Sequence, residues 1–145
     1  MTAGPFQSTL TRAVGFHATH RIHIPEWSEA ENRDRFGWTS EAPGHGHHYR
    51  VAVTVTGPLD PRLGMVIDLA LLDSILEEEI VTPLAGAYLN DAIATGEPNA
   101  PPPTCEVMAA WCFTRVARRL PAKVTMVSVR VAEDDTLWAD CLGSE

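Results

Sequence analysis

Two histidines one residue apart, His45 and His47, stand where a polar loop ending in Pro43-Gly44 runs into an alternating apolar segment. Residues two apart on a strand point to the same side, so the pair would present two imidazoles to one ion, with Gly46 letting the backbone come close to a bound ligand. A third nitrogen ligand would leave one position of a tetrahedral zinc open, the pattern of a catalytic site. Upstream, His17, His20 and His23 are the candidates. A period of two places His20 with Phe16, Ala18 and Ile22, and turns His17 and His23 to the other face. If the two segments pair as a hairpin across the long loop, His20 meets His45 and His47. The competing reading is a chance HxH spacing of surface or hydrogen-bonded histidines. His48 interrupts the alternation and reads as a solvent-facing neighbour.

The carboxylates divide less cleanly. Glu133 follows Val127, Val129 and Val131 at a spacing of two, so a charge falls where a core residue is expected. An inward-facing carboxylate is costly unless a ligand or partner uses it. Alternatively the strand has already ended there and Glu133 is solvated. Glu106 falls in the first turn of a helix, where a negative charge favours the helix dipole. Glu41 precedes His45 by four residues in a loop of turn-forming residues, and an exposed loop acid is the plain alternative to a role in catalysis.

These side chains need elements to hold them. Residues 8–23 read as a strand closed by Pro25, and residues 26–44 as a loop with one helical turn around "SEAENRDRF". Tyr49, Val51, Val53 and Val55 alternate with polar or small residues in a second strand that stops at Gly57-Pro58. Asp68 caps a helix with Leu69, Leu72, Ile75, Leu76 and Ile80 on one stripe, broken near Pro83. After the proline-rich "TGEPNAPPP", Thr104 caps a second helix carrying Val107, Met108, Trp111, Cys112 and Val116, which stops at Pro121. Val127, Val129 and Val131 form a third strand, and "DDT" turns into a short fourth, "LWADCL". The order ββααββ predicts an α+β fold, a four-stranded antiparallel sheet with two helices on one face. Two helices cannot cover both faces, so self-association through the free face or the strand edges is expected.

At 145 residues the chain is the size of a single domain, residues 1-145, and 45% hydrophobic with 21% charged residues is ordinary globular composition. A formal net charge of -8 would repel a phosphate backbone, and no basic run offsets it, which argues against nucleic acid as a partner. Cys105, Cys112 and Cys141 make an odd number with no CxxC pair, which suits a reducing cytosol, and none is near the histidine pair in sequence. With no apolar run of membrane-spanning or signal-peptide length, the expected location is cytoplasmic and no membrane partner is expected.

In order and spacing, "FHATHRIH", "FGWTSEAPGHGHHYRV", "GMVIDL", "PLAGAYLN", "PTCE" and "VAEDDT" resemble the family of 6-pyruvoyl-tetrahydropterin synthase and 6-carboxytetrahydropterin synthase, from about residue 14 to the end. The resemblance implies the T-fold, with sheets from several subunits closing into a barrel and two trimers stacking as a homohexamer. It implies zinc (Zn2+) on His20, His45 and His47, a pterin substrate, and a pocket at a subunit interface lined by Thr104, Glu106 and Glu133. The family's catalytic groups do not carry over. Its thiol position falls on Thr39, or on Glu41 at the shorter bacterial spacing, and its Asp-His dyad falls on Ala85 and Gly86.

A glutamate four residues before "HGH" resembles a variant subgroup that cleaves the side chain of 7,8-dihydroneopterin triphosphate to 6-hydroxymethyl-7,8-dihydropterin. That resemblance implies Glu41 as general acid/base, zinc as Lewis acid, and Glu133 as a bidentate acceptor for the pterin amino and ring N–H groups. His17 and His48, the other candidate proton relays, have the wrong strand parity. Two alternatives stay open: another reaction on a related pterin, of the pyruvoyl- or carboxytetrahydropterin synthase type, or a zinc and pterin-binding module without catalysis.

Overall fold

The computed structural model describes residues 6–93 and 97–143. Its centre is one antiparallel sheet in the order β1-β2-β3-β4, built from β1 (Thr9–His20), β2 (His45–Thr56), β3 (Thr125–Asp134) and β4 (Leu137–Cys141). Val51, Val53, Val55, Val129 and Val131 all turn to one face, where β-branched side chains pack well on a pleated surface, and that face is the core. Two helices close it. In α2 (Leu69–Leu76) the buried residues Leu72, Ile75 and Leu76 recur at helical spacing. In α5 (Cys105–Ala117) the buried stripe is Cys105, Met108, Ala109, Cys112 and Val116.

The α+β class and strand order agree with expectation, and the helical content is larger than two helices. The segment expected to hold a single helical turn forms α1 (Glu29–Phe36), because Ser28 and Glu31 build a reciprocal capping box that satisfies both free donors at its start. Asn32, buried beneath it, is fully used: its amide nitrogen donates to the Ile24 and Ser28 carbonyls at 3.0 Å each, and its oxygen accepts from the Ile24 N–H at 2.7 Å. The helix begun at Asp68 ends at Leu84, one residue past Pro83, and it does not get there as a regular helix. It widens into a π-helical turn over Glu77–Val81 and runs on as α3 (Thr82–Leu84), so that Pro83 falls in the first turn of a new segment, where a missing N–H costs little. A further short helix, α4 (Leu89–Ala92), lies just after a bridge between Thr19 and Tyr88.

Val127 is not a core residue. The register slips between Thr54 and Val55, which pairs Val55 with Met126 and leaves Val127 as the extra residue of a bulge. Met126 takes the core side in its place. The face away from the helices is polar rather than apolar: Thr11 and Thr54 share a hydrogen bond of 2.7 Å, and Arg130 pairs with Asp140 at 2.8 Å beside the exposed Trp138. No described helix is long and apolar enough to cross a membrane.

Leu76 is fully buried between the sheet and its own helix, so Leu76→Ala should destabilise the protein by about 2–5 kcal/mol. A lowered urea midpoint at unchanged slope would show it; an unchanged midpoint would contradict this packing.

Candidate metal centre

Pairing of β1 with β2 sets His20 directly opposite His45 at the end of the ladder, and Ala18 opposite His47. His20, His45 and His47 therefore gather on the core-facing side, with one ligand-type atom from each within 4.8 Å of the others. The loop before β2 is fastened to β1 from two sides. The Ile22 N–H donates to the Thr39 carbonyl at 2.9 Å, and Arg21 Nε donates to the Ser40 carbonyl at 2.8 Å while its guanidinium holds Glu29 at 3.2 Å. Gly44 adopts φ +105, and a Cβ there would come within 2.6 Å of the His20 carbonyl oxygen, so glycine is required for the chain to enter β2 this close to β1.

His20 is the most enclosed of the three, with 2% of its side chain exposed. Its Nδ1 lies 2.9 Å from the carbonyl oxygen of Pro103. A carbonyl only accepts, so Nδ1 carries the proton and the neutral ring turns the lone pair of Nε2 toward the cluster. A metal-binding histidine is oriented in this way, by a hydrogen bond from its other nitrogen. Burial lowers the His20 pKa to about 4, with smaller contributions from His45 and His47, which keeps the ring neutral. Burial, and then His47, also lowers that of His45. His20 Nε2 and His47 Nε2 are buried without a hydrogen-bond partner, and atoms of that kind are satisfied by an ion. The donor set suits zinc: three imidazoles, with no competing hydrogen bonds on these two nitrogens.

Glu133 shares the parity of the buried Val129 and Val131, and a second bulge falls at its position. Ala132 pairs with Trp138 and Asp134 with Leu137, which leaves Glu133 unpaired in the β3–β4 ladder. Its Oε2 stands 3.5 Å from His47 Nε2 and 3.9 Å from His20 Nε2. Burial raises the Glu133 pKa, partly offset by His47. Thr104 caps α5, its hydroxyl oxygen accepting from the Val107 N–H at 3.2 Å. Glu106 is exposed on the first turn of α5, close enough for its charge to raise the Glu133 pKa further.

Sequence spacing did not reveal several neighbours of the centre. Cys105, although remote from the histidine pair in sequence, donates its thiol to Glu133 Oε2 at 3.9 Å. Burial, and next the Glu133 charge, push that thiol up to about 12, so it is protonated and is no nucleophile. Tyr49 lies beneath the imidazoles, 5.5 Å from the ring of His47, and the exposed Trp38 covers His45 at 4.7 Å. A Trp and a Tyr at these positions were visible in sequence as aromatics, but only the folded loop shows what they touch.

Glu41 is not in the cluster. It follows a 3-10 turn (Gly37–Ser40), is more than half exposed, and faces Arg33 at 3.8 Å. Among the described residues no imidazole lies within salt-bridge distance of its carboxylate. The Thr39 hydroxyl donates to the Phe36 carbonyl at 2.8 Å. Ala85 and Gly86 pass beside β1, where the Gly86 N–H donates to the His17 carbonyl, and neither has a side chain able to move a proton. His17 and His48 pair on the opposite face of the sheet, as their parity predicts.

A four-stranded antiparallel sheet with helices on one face and a histidine triad at one end defines a T-fold protein with a metal-type centre. A family model described as 6-pyruvoyl tetrahydropterin synthase matches residues 9–144, and the chain belongs to that family. It is 35% identical over 133 residues to a 6-pyruvoyl tetrahydrobiopterin synthase of Poecilia reticulata, covering 87% of this chain and 84% of the relative. Its identity to the Homo sapiens protein of that name is 34% over 136 residues, covering 89% and 87% of the two chains. The solved structure of Caenorhabditis elegans 6-pyruvoyl tetrahydropterin synthase superposes with a TM-score of 0.85 at 28% identity, covering 95% of this chain and 96% of the other.

His47→Ala removes one of the two buried, unpartnered nitrogens, and elemental analysis of the purified variant should find no stoichiometric zinc. Zinc retained in full by single variants at His20, His45 and His47 would place the metal elsewhere.

Proposed function

We propose that this chain is a zinc-dependent lyase that cleaves the side chain of 7,8-dihydroneopterin triphosphate, or of a related pterin, to 6-hydroxymethyl-7,8-dihydropterin. The observation that supports this reading most is an inward carboxylate beside three imidazoles, with no reactive thiol and no Asp-His dyad beside them among the described residues. Glu133 offers two acceptor oxygens to the amino group and ring N–H of a pterin. Thr104 and Glu106, at the start of α5, line the same pocket. Bound zinc supplies Lewis acidity that lowers the pKa of the side-chain hydroxyls.

The remaining work falls to Glu41. Its carboxylate takes the proton of the hydroxyl on the second side-chain carbon, and the bond between the first and second carbons breaks. The second carbon leaves as the aldehyde of a two-carbon triphosphate, the electron pair moves into the dihydropterin ring, and a proton returned to the first carbon completes the hydroxymethyl product. To reach the hydroxyl, Glu41 exchanges its exposed pairing with Arg33 for the substrate. Such a surface ion pair contributes only about 0–1 kcal/mol, so the exchange is inexpensive.

A second reading, formation of the pyruvoyl product, is favoured by the names of the relatives. It requires proton removal and return at adjacent carbons together with triphosphate loss. Thr39, its hydroxyl tied to a carbonyl, and Ala85 and Gly86 do not offer the groups for it.

The chain acts as a homohexamer, a dimer of trimers, on this proposal. The outer edge of β4, the outer edge of β1 ahead of its bonds to residues 86–88, and the face opposite the helices join sheets of neighbouring subunits into a barrel on this reading. The location proposed is the cytoplasm, consistent with unpaired thiols.

With zinc-loaded protein and 7,8-dihydroneopterin triphosphate, mass spectrometry should find the hydroxymethyl pterin as the main product. Glu41→Gln should lose cleavage by two to four orders of magnitude while keeping zinc and pterin binding. Pyruvoyl product from the wild type would favour the second reading, and full activity in Glu41→Gln would remove Glu41 from the mechanism. Light scattering should give a hexamer; a monomer at every concentration would refute the shared pocket.

A further inference from the structure

Glu133 stands in an unusual relation to the histidines. Its Oε2 approaches His47 Nε2 to 3.5 Å and His20 Nε2 to 3.9 Å, yet neither nitrogen has a hydrogen-bond partner. An ordinary ion pair would close on one nitrogen at about 2.7–2.9 Å. An oxygen that stands near two imidazole nitrogens and bonds to neither is instead where an ion shared with them would hold it. Ligands on a tetrahedral zinc, with arms of about 2.0–2.2 Å, are separated from one another by roughly 3.3–3.5 Å. The carboxylate oxygen is thus as far from His47 Nε2 as a fourth ligand would be, and somewhat farther than that from His20 Nε2. The Cys105 thiol, 3.9 Å from the same oxygen, steadies this placement.

We propose that Glu133 is a displaceable fourth ligand, closing the metal centre when no pterin is bound. The inference rests on the three-histidine centre and adds to the pterin-anchoring role of the same carboxylate. The two roles exclude each other. An oxygen committed to the metal is not free to accept from a pterin N–H, so seating the ring draws Glu133 away and opens one coordination position beside the substrate side chain. Access to the metal is thereby tied to correct placement of the ring, and small chelating molecules without a pterin ring meet a four-coordinate site.

The test uses the protein loaded with Co2+ in place of zinc, whose visible absorption reports coordination number and ligand type. In the absence of pterin, Glu133→Ala and Glu133→Gln should each change the cobalt spectrum and weaken metal affinity at least about tenfold in chelator competition. Adding neopterin to the wild type should move its spectrum toward that of the variants, and circular dichroism establishes that the variants are folded. Identical spectra and affinities in wild type and both variants would overturn the proposal and leave the 3.5 Å approach as an ion pair. Failure of the wild type to bind Co2+ would overturn the histidine centre and this proposal together. Absence of pterin cleavage with the cobalt changes intact would instead count only against the lyase reading.

Discussion

The register between β1 and β2 is the constraint on which the site depends. Twelve consecutive antiparallel pairs run from Thr9 with Thr56 to His20 with His45, and this alignment brings a histidine from one strand against two from the other. A slip of one residue would reverse the facing of β1, burying His17 and exposing His20. The slip is opposed along the whole ladder, because Phe16 and Ala18 share the buried side of β1 with His20 and would be expelled along with it. Hydrophobic burial in the strand therefore fixes where the imidazoles end. Metal-site geometry is a by-product of core packing, and needs no separate device in the hairpin itself.

The parity of the strands is legible in the sequence, and it separates His20 from His17 and His23. Parity is local, and β1 and β2 are regular where the histidines sit. It failed at Val127, where a bulge exchanges Val127 for Met126, and it reached the right result at Glu133, although a bulge falls there too. Near Pro83 the expectation held, since the helix ends at Leu84, although a widened turn precedes that end.

What the sequence could not show is long-range or carried by the main chain. Cys105 lies close to Glu133 because α5 packs on β3, a contact between elements separated by a turn and most of a strand. The exposure of Glu41 follows from the path of the loop after the 3-10 turn, which no spacing from "HGH" encodes. The family resemblance identified the pocket residues as a set. It did not say that Glu133 would face imidazole nitrogens, whereas the capping role of Thr104 was legible from its place before an apolar helical stripe.

The orienting partner of His20 is the carbonyl oxygen of Pro103, a main-chain atom. Replacing the side chain at 103 leaves that oxygen in place, so a survey of substitutions would pass over one of the groups that sets the tautomer at the centre. Changes in chain length are another matter. One residue added or deleted between Pro102 and Thr104 would move the carbonyl out of line with the imidazole, while the same change earlier in the proline-rich loop could be absorbed before it arrived. Tolerance to insertion, rather than to substitution, is where this contact would leave its mark as the sequence diverges.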